Sequence, residues 1–133
     1  MGERVTGRLV LVVLEVADLA RSVHFYRDLL GLPLHLEDHA PETGGDRWIS
    51  GAHAATSWHD GAFLHFALYQ SKGVVTKDAQ LGFATDDIAA AHARLAAAGV
   101  RFDHPPRGEP WGLTARYRDP DGNSVSLTES ERR

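Results

Sequence analysis

The 133-residue sequence predicts an α+β fold in which a unit of one strand, one helix and about three further strands occurs twice. Residues 9–32 hold an apolar stretch, an aspartate, an amphipathic pattern and a glycine, and residues 79–100 repeat that layout. Strand-like stretches follow each predicted helix. One such unit cannot bury both faces of its own sheet, so we expect the two units to pair within a single domain.

The composition excludes several classes of function. The net charge is −4 and the basic residues are scattered singly, so the sequence lacks the basic patch of a nucleic-acid-binding protein. The absence of cysteine excludes disulfides, thiolate nucleophiles and cysteine-based metal sites. The apolar run LVLVVL is too short to cross a membrane, and the charged N-terminus lacks a signal-peptide cleavage pattern. We therefore expect a cytoplasmic protein without a membrane or nucleic-acid partner.

The first unit opens with an apolar strand at residues 9–16 and continues into a helix. Asp18 supplies the short carboxylate that accepts hydrogen bonds from the free N–H groups of a first helical turn. Gly31 suits the left-handed residue at which such a helix ends. The apolar residues between them recur at the spacing of one helix face, namely Leu19, Val23, Tyr26 and Leu30.

Three strand-like stretches follow this helix in the first unit, at residues 46–50, 56–60 and 61–70. Segments 37–46 and 70–78 contain Gly, Pro and charged residues, which is typical of loops. The second of these loops is the natural linker between the two units.

The second unit repeats the pattern with an alanine-rich helix. Asp86 or Asp87 is placed to cap its first turn, and Gly99 is placed to end it. Its apolar stripe consists of Ile88, Ala91, Leu95 and Ala98. Such a stripe favours packing of the helix against a sheet. The strand-like stretches after this helix are residues 101–106, 113–118 and 123–129.

The last of these stretches follows a strong turn signal and alternates in polarity. Asp121, Gly122 and Asn123 form the turn, since Gly and Asn accept positive φ. Beyond the turn, Val125 and Leu127 point to one side and small hydroxyl side chains to the other. These hydroxyl-bearing residues are Ser124, Ser126 and Thr128. The alternation predicts a strand with an apolar core face and a hydroxyl face that meets solvent or lines a cleft.

Three segments of the sequence resemble the vicinal oxygen chelate superfamily, also called the glyoxalase/bleomycin resistance/dioxygenase fold. They are LEVADLARSVHFYRDLLGL, FATDDIAAAHARLAAAGV and RYRDPDGNSVSLTE, and they cover most of residues 9–129. The resemblance implies two βαβββ modules that pair into a curved mixed sheet around a cleft. It also implies a homodimer of a single domain, residues 1–133, with modules at 8–70 and 78–129 joined by the loop 70–78.

The resemblance further implies which positions face the cleft, because enzymes of the family hold a divalent metal on the first and last strands of each module. The matching positions in this sequence are Leu11, His65, Gln80 and Ser126. Strand alternation, taken by itself, puts the same four positions on the face opposite the strongest core-forming residues. Both lines of reasoning therefore indicate one cleft face.

These implied positions are a poor set of metal ligands. A catalytic divalent ion needs about three protein ligands, usually imidazole or carboxylate, and an open position. Only His65 provides such a ligand, since Gln80 and Ser126 are weak neutral donors. We therefore expect no metal cofactor, and the alternative is a divalent metal held by His65 and Gln80. A rearranged site would combine His65 with His53 and His59.

We expect the cleft to bind a small organic ligand instead. Aromatic side chains near a concave site provide contact area and stacking. Arg47 and Arg116 are candidates for contact with an anionic group. Each tryptophan has core or dimer-interface packing as the alternative to ligand contact. The predicted ligand-binding residues are Leu11, Trp48, Phe63, His65, Gln80, Trp111 and Ser126.

The preferred interpretation is a protein that sequesters an antibiotic-like or other aromatic or cationic compound, as bleomycin-resistance relatives do. The alternative is a metal-dependent glyoxalase-like lyase or isomerase, or an extradiol-type dioxygenase, with an atypical ligand set. A third interpretation is a cofactor-free enzyme in which His65 is the general base. The sequence does not decide whether the protein is an enzyme, and it indicates no catalytic residue other than His65.

Overall fold

A computed structural model describes residues 5, 9–40, 45–50 and 64–129 of the chain. The first module contains β1 (Leu11–Val16), α1 (Leu19–Val23), a π-helical turn (His24–Leu29), β2 (His35–Ala40), β3 (Gly45–Ile49) and β4 (His65–Gln70). The second module contains β5 (Gln80–Ala84), α2 (Ile88–Ala97), β6 (Phe102–Glu109), β7 (Gly112–Arg118) and β8 (Ser124–Glu129).

The strands in the described ranges form two sheets with the same arrangement. The first sheet has the order β1-β4-β3-β2, and the second has the order β5-β8-β7-β6. In each sheet the first strand of the module runs parallel to the last, and the other neighbours are antiparallel. The predicted α+β fold of two βαβββ modules is therefore confirmed.

Two aspartates begin the helices, as the sequence predicts. A side-chain oxygen of Asp18 accepts a hydrogen bond from the backbone N–H of Arg21 at 3.2 Å. In the same way, Asp87 accepts a hydrogen bond from the N–H of Ala90 at 3.0 Å. Of the two candidates for the second cap, Asp87 rather than Asp86 therefore fills the position.

Glycines with left-handed backbone follow both helical segments. Gly31 has a φ of +85° and Gly99 a φ of +80°, which a residue with a Cβ adopts only at a cost. After α2, the N–H of Gly99 donates to the Ala96 carbonyl and the N–H of Val100 donates to the Leu95 carbonyl. Among the described residues, no helix is long and apolar enough to cross a membrane.

The first helix differs from the regular α-helix that the apolar spacing predicts. After α1 the chain widens into the π-helical turn His24–Leu29, and the N–H of Leu30 donates to the carbonyl of Phe25 five residues earlier. Phe25 and Tyr26 are adjacent in sequence, yet both are buried, with ring centroids 4.9 Å apart in an edge-to-face arrangement. Phe25 lies outside the predicted apolar stripe, so the spacing gives no sign of this wider turn.

The prediction of a loop at residues 37–46 is wrong, because part of that segment is strand. β2 covers His35–Ala40 and pairs with β3, with Leu36 opposite Trp48. β2 is an edge strand, and edge strands often carry charged residues such as those of HLEDHA. Pairing with β3 therefore outweighs the local composition. The predicted strand at residues 56–60 lies outside the described residues.

One hydrophobic core is shared by the two modules. The first module contributes Leu14, Val16, Val23, Phe25, Tyr26, Leu34 and Leu68. The second module contributes Ile88, Leu95, Ala115, Tyr117, Val125 and Leu127. In β8, Val125 and Leu127 are buried while Ser126 and Thr128 are half-buried, as the predicted alternation requires. Each sheet therefore gives one face to the core and leaves the other face for a site.

Buried hydrogen bonds join the modules to each other. The Tyr26 hydroxyl donates to Asp119 at 2.6 Å, and Asp119 also accepts from the backbone N–H of Asn123 at 2.8 Å. Burial, followed by the hydrogen bond to Asp119, raises the pKa of Tyr26 well above its usual range. On the surface, Arg94 of α2 donates to the carbonyl of Asp28 at 2.6 Å.

Candidate functional site

Strand pairing defines a face of the first sheet that lies opposite the core. Leu11 of β1 pairs with His65 of β4, and Val13 pairs with Ala67. Ile49 of β3 also pairs with Ala67. Residues opposite one another in a ladder point to the same side of the sheet. We call this side the His65 face; it comprises Leu11, Val13, Glu15, His35, Arg47, Ile49, His65, Ala67 and Tyr69.

His65 is held in one ring orientation. It is 3% exposed, and its Nδ1 lies 2.6 Å from the carbonyl oxygen of Ser50. A carbonyl oxygen only accepts, so Nδ1 carries a proton, and in the tautomer that this fixes Nε2 is the acceptor. The Ser50 hydroxyl accepts from the N–H of Phe66 at 2.8 Å, which ties β3 to β4 at this point. The arrangement lets Nε2 accept a hydrogen bond or a proton.

A buried arginine lies on the same face. Arg47 is buried, donates from Nη1 to the Tyr69 hydroxyl, and has its guanidinium carbon 5.5 Å from the centroid of the Tyr69 ring. This geometry combines a hydrogen bond with a cation–π contact. Tyr69 is in turn in register with Glu15 of β1. The His65 face is therefore apolar at Leu11 and Val13 and polar where Arg47 lies.

The second sheet has a corresponding face of small and hydroxyl-bearing side chains. Gln80 of β5 pairs with Ser124 of β8, and Gly82 pairs with Ser126. We call this side the hydroxyl face; on β5, β7 and β8 it comprises Gln80, Gly82, Ala84, Thr114, Arg116, Arg118, Ser124, Ser126 and Thr128. All three β5 members are exposed. A Cβ added at Gly82 would meet the Ser126 hydroxyl at 3.4 Å, so the glycine leaves room above that hydroxyl.

Trp111 is fixed at the edge of the hydroxyl face. It lies in the turn between β6 and β7 and is 63% exposed. Its indole Nε1–H donates to the Thr114 hydroxyl at 3.1 Å, and the Thr114 and Thr128 hydroxyl oxygens are 3.2 Å apart. These hydrogen bonds orient the indole while most of its surface stays open. Such an indole is a stacking surface for a planar aromatic ligand.

Arginine side chains give the hydroxyl face a positive border. Arg116 is exposed and lies in register with Ser126. Arg118 donates from Nε and Nη2 to the carboxylate of Asp103 at 3.1 and 2.6 Å. The hydrogen bond from Arg118 lowers the pKa of Asp103, and the charge of Arg116 acts in the same direction. No member of the hydroxyl face is acidic.

The structure brings the four implied cleft positions together as two pairs on separate sheets. Leu11 and His65 are cross-strand neighbours in the first sheet, while Gln80 and Ser126 lie on the same face of the second. The Ser126 hydroxyl donates to the carbonyl of Leu81 at 3.4 Å. Trp111 joins the second pair through its contact with β7.

Trp48 lies on the other side of the first sheet. It pairs with Leu68 of the core in the β3–β4 ladder and packs against the core cluster. The guanidinium carbon of Arg27 lies 4.9 Å from its ring centroid. Trp48 therefore does not reach the His65 face. Three further candidates lie outside the described residues: His53, His59 and Phe63.

The donor set at the implied positions does not fit a catalytic divalent-metal site. Such a site takes about three imidazole or carboxylate ligands, and these positions offer one imidazole, one amide and one hydroxyl. The single imidazole, His65, donates from Nδ1 to the Ser50 carbonyl and leaves one nitrogen, Nε2, as a ligand, which is short of the number required. Within the described ranges, no group of three or more His, Asp or Glu residues is arranged to hold a metal ion.

Sequence reasoning placed Thr128 on the hydroxyl side of its strand but missed Thr114, which orients Trp111. Thr114 and Thr128 pair across β7 and β8, and their hydroxyls connect to the indole through Thr114. The signal was present in the alternation of residues 113–118, where Ala115 and Tyr117 enter the core and the residues between them face the other way. Applying to β7 the reasoning used for β8 would have found Thr114.

Comparison with known proteins matches this fold. The family model of the Glyoxalase/Bleomycin resistance protein/Dioxygenase superfamily matches residues 8–127. The structure of TnmS3, an antibiotic binding protein from Streptomyces sp. CB03234, has a TM-score of 0.70 and 25% identity, and covers 97% of this chain and 100% of its own. A glyoxalase/bleomycin resistance protein from the same source has a TM-score of 0.66 and 26% identity, and covers 91% of this chain and 99% of its own.

The same fold also occurs in an enzyme. Glyoxalase I of Leishmania major has a TM-score of 0.68 and 22% identity, and covers 93% of this chain and 87% of its own. At that identity the likeness concerns the fold alone. No curated protein sequence matches the chain significantly. The choice between binding protein and enzyme therefore depends on the side chains of the two faces.

Proposed function

The chain belongs to the Glyoxalase/Bleomycin resistance protein/Dioxygenase superfamily, and we propose that it is a member that binds and sequesters an aromatic, antibiotic-like small molecule. The observation that carries this proposal is the oriented, exposed indole of Trp111 beside the hydroxyl face. The indole supplies stacking area, and Gln80 and Ser126 supply hydrogen-bonding groups. Small-molecule sites combine apolar or aromatic contact area with placed polar groups that fix the orientation of the ligand; here the indole provides the first and the hydroxyl face the second.

The similarity to an antibiotic-binding relative supports the same function. TnmS3 is an antibiotic binding protein that aligns over nearly the whole of this chain. Sequestration needs contact area and complementarity but no reacting group. The hydroxyl face, whose members are neutral side chains and two arginines, suits that requirement better than it suits proton transfer or metal chemistry.

The charges beside Trp111 bear on the charge of the ligand. The net charge of −4 is spread over the chain, whereas Arg116 lies directly beside Ser126. Exposed charges are screened beyond about 8 Å at physiological salt, so the nearby arginine has the larger effect. We therefore propose a neutral or anionic aromatic ligand at this face rather than a cationic compound.

We propose that binding requires no metal. The single strong donor among the implied positions is His65, and its ring is oriented by Ser50. Purified protein incubated with Zn²⁺, Ni²⁺, Mn²⁺ or Fe²⁺ and then dialysed should retain no stoichiometric metal by elemental analysis. One ion per chain that disappears in His65→Ala would overturn this part of the proposal.

We further propose a homodimer that forms along open sheet edges. β1 and β5 each end their sheet, and alternate residues of such a strand turn their N–H and C=O groups outward. In β1 these residues include Leu11 and Val13, and in β5 they include Gln80 and Gly82. Within the described part of the chain, β1 pairs with β4 alone and β5 with β8 alone, although Glu15 near the end of β1 also bonds to Thr76. An open edge is a template for pairing with a second chain.

Pairing β1 of one chain with β5 of the other would join the His65 face and the hydroxyl face into one cleft. Leu11 and His65 would then line the wall opposite Trp111. Native mass spectrometry of the purified protein should show two subunits, and a monomer at micromolar concentration would contradict this part of the proposal. A cytoplasmic location stays a prediction from the sequence.

Binding is tested directly by calorimetry. Isothermal titrations with bleomycin and with a panel of planar aromatic antibiotics should reveal at least one compound that binds saturably, with quenching of tryptophan fluorescence. The same compound should be recovered unchanged after prolonged incubation, because the proposal is sequestration rather than turnover. If no compound in the panel binds, or if the bound compound is converted, the proposed function fails.

The orientation of His65 favours one competing function, a cofactor-free enzyme in which Nε2 is the base. That function predicts turnover that survives chelation and disappears in His65→Ala. The other competing function, a metal-dependent lyase, isomerase or ring-cleaving dioxygenase with an atypical ligand set, predicts stoichiometric metal and turnover that chelation abolishes. The two assays, run on the same compound panel, separate all three functions.

A further inference from the structure

A cavity of about 580 Å³ lies between the first helical segment and the end of α2. None of its lining residues belongs to the His65 face, and Arg118, in register with Ser124, is the one lining residue that it shares with the hydroxyl face. Its apolar wall includes Phe25 and Leu29 of the π-helical turn, with Val100 on the opposite module. The volume falls in the range of about 300–1,000 Å³ that is typical of small-molecule sites. The wider π-helical turn thus forms one wall of the cavity. Single π-helical turns are often found at functional sites.

Two arginines at this cavity have side chains without a partner among the described residues. Arg21 and Arg101 both line it and are both exposed. A third lining arginine, Arg118, is already engaged with Asp103 through Nε and Nη2 and with the carbonyl of Gly122 through Nη1. The guanidinium groups of Arg21 and Arg101 are therefore available to a ligand.

The negative groups around the cavity are already satisfied. Asp119 is buried, and its carboxylate accepts hydrogen bonds from Tyr26 and from Asn123. The end of α2 carries about half an elementary negative charge, and the N–H groups of Gly99 and Val100 bind two of its last free carbonyls. The two positive charges of Arg21 and Arg101 still exceed the full charge of Asp119 and the partial charge of the helix end taken together, so the cavity keeps a weakly positive balance that favours anions.

We propose that this cavity binds a small organic anion, a carboxylate or phosphate monoester with an apolar ring, separately from the ligand of the hydroxyl face. Guanidinium groups recognise carboxylate and phosphate through paired N–H donors. Arg21 and Arg101 hold the anionic end, and the ring packs against Phe25, Leu29 and Val100. The proposal stands independently of the proposed function, and both ligands bind at the same time.

Four probes test the chemistry of the cavity. Phenyl phosphate and benzoate should bind saturably in a titration followed by amide NMR, with shifts at Arg21, Leu29 and Val100. Inorganic phosphate, which lacks the ring, should bind more weakly, and benzyl alcohol, which lacks the charge, should not bind. Affinity for phenyl phosphate should fall as sodium chloride is added, because exposed charges are screened by salt.

Charge-removing variants test the assignment of residues. Arg21→Gln and Arg101→Gln should each weaken phenyl phosphate binding about tenfold, the loss expected for one hydrogen bond to a charged group. The matched control is Arg107→Gln, which removes an exposed arginine that pairs with Glu109 outside the cavity and should leave binding unchanged. Thermal unfolding of each variant checks that the fold is retained.

Three results would overturn the proposal: no saturable binding of any anionic probe, equal losses in the control and in the cavity variants, or loss of phenyl phosphate binding in Trp111→Leu. The last result would assign the anion to the hydroxyl face instead. Because the aromatic ligand of that face is measured by a separate titration, failure of one site leaves the other unaffected.

Discussion

Tyr26 of the first module donates its hydroxyl hydrogen bond to Asp119 of the second module over 2.6 Å, and both residues are buried. A buried carboxylate is unfavourable unless it is hydrogen-bonded. Asn123 supplies further donors through its N–H and its side-chain amide. The Tyr26–Asp119 hydrogen bond holds the turn before β8 against the π-helical turn. We therefore expect the two modules to unfold together.

Replacing Tyr26 with Phe should destabilise the protein. The change removes a donor to a buried charge, for which a loss of about 1.5–3 kcal/mol in the free energy of unfolding is typical. The matched control is Tyr117→Phe, because Tyr117 is equally buried but its hydroxyl contacts the Nδ1 of His92 at 2.7 Å rather than a carboxylate. Urea denaturation measures both variants. A Tyr26→Phe loss no larger than that of Tyr117→Phe would contradict the assigned role of Asp119.

The raised pKa of Tyr26 predicts a loss of stability in alkali. In the unfolded chain a tyrosine loses its proton near pH 10 (about its reference pKa), whereas the buried Tyr26, hydrogen-bonded to Asp119, keeps its proton at higher pH. Above that pH the unfolded chain binds fewer protons than the folded chain, so stability falls by about 1.4 kcal/mol per pH unit for this group. Below about pH 10 the contribution of Tyr26 to stability is fully present.

Urea denaturation at several pH values between about 8 and about 11 measures this slope. Burial also raises the pKa of Tyr117, so the wild-type slope has contributions from both residues. Tyr26→Phe should reduce the slope above about pH 10 and leave it unchanged at neutral pH. Identical slopes in the two proteins would show that Tyr26 titrates in the folded state as it does in the unfolded chain.

Trp111→Leu should weaken binding of the aromatic ligand about tenfold, because it removes a stacking surface that contributes about 0.5–1.5 kcal/mol beyond contact area. Trp111→Phe should retain part of the affinity. Trp48→Phe is the matched control, since Trp48 lies on the core side of its sheet. Calorimetry with the compound identified in the panel measures all three. A larger effect at Trp48 than at Trp111 would place the ligand elsewhere.

The cap at the start of α2 is expected to contribute to stability through one side chain only. Asp87 accepts a hydrogen bond from the N–H of Ala90, so Asp87→Ala should lower the free energy of unfolding by about 1 kcal/mol. The control is Asp86→Ala, because Asp86 is also exposed and the substitution removes the same charge. Asp86→Ala should have little effect on the free energy of unfolding. Chemical denaturation of both variants checks this, and the reverse order would place the start of α2 one residue earlier.

Strand alternation and turn chemistry were sufficient to predict much of this fold. The hydroxyl side chains of β8 and the apolar residues between them face opposite ways, as the sequence indicates. Likewise, Leu11 and His65 lie side by side although they are far apart in the sequence. Both results follow from the alternation of side chains along a strand, which is the same whichever strands lie beside it.

Features that depend on tertiary pairing could not be predicted in the same way. β2 is a strand because β3 pairs with it, and its charged sequence gives no sign of that partner. Trp48 was predicted to contact ligand from its size and aromatic character, but its position opposite Leu68 puts it on the core side. The orientation of Trp111 depends on Thr114, whose hydroxyl is a neighbour only once β7 has formed.

Because of the π-helical turn, the fold depends on the number of residues between α1 and β2 as much as on their identity. Deleting one residue from His24–Leu29 would rotate the residues before the deletion by about 100° relative to those after it. Tyr26 would then move away, and the buried carboxylate of Asp119 would lose the donor that links it to the first module. Substitutions in this segment are thus far better tolerated than changes in its length, and homologous chains are expected to align here without gaps.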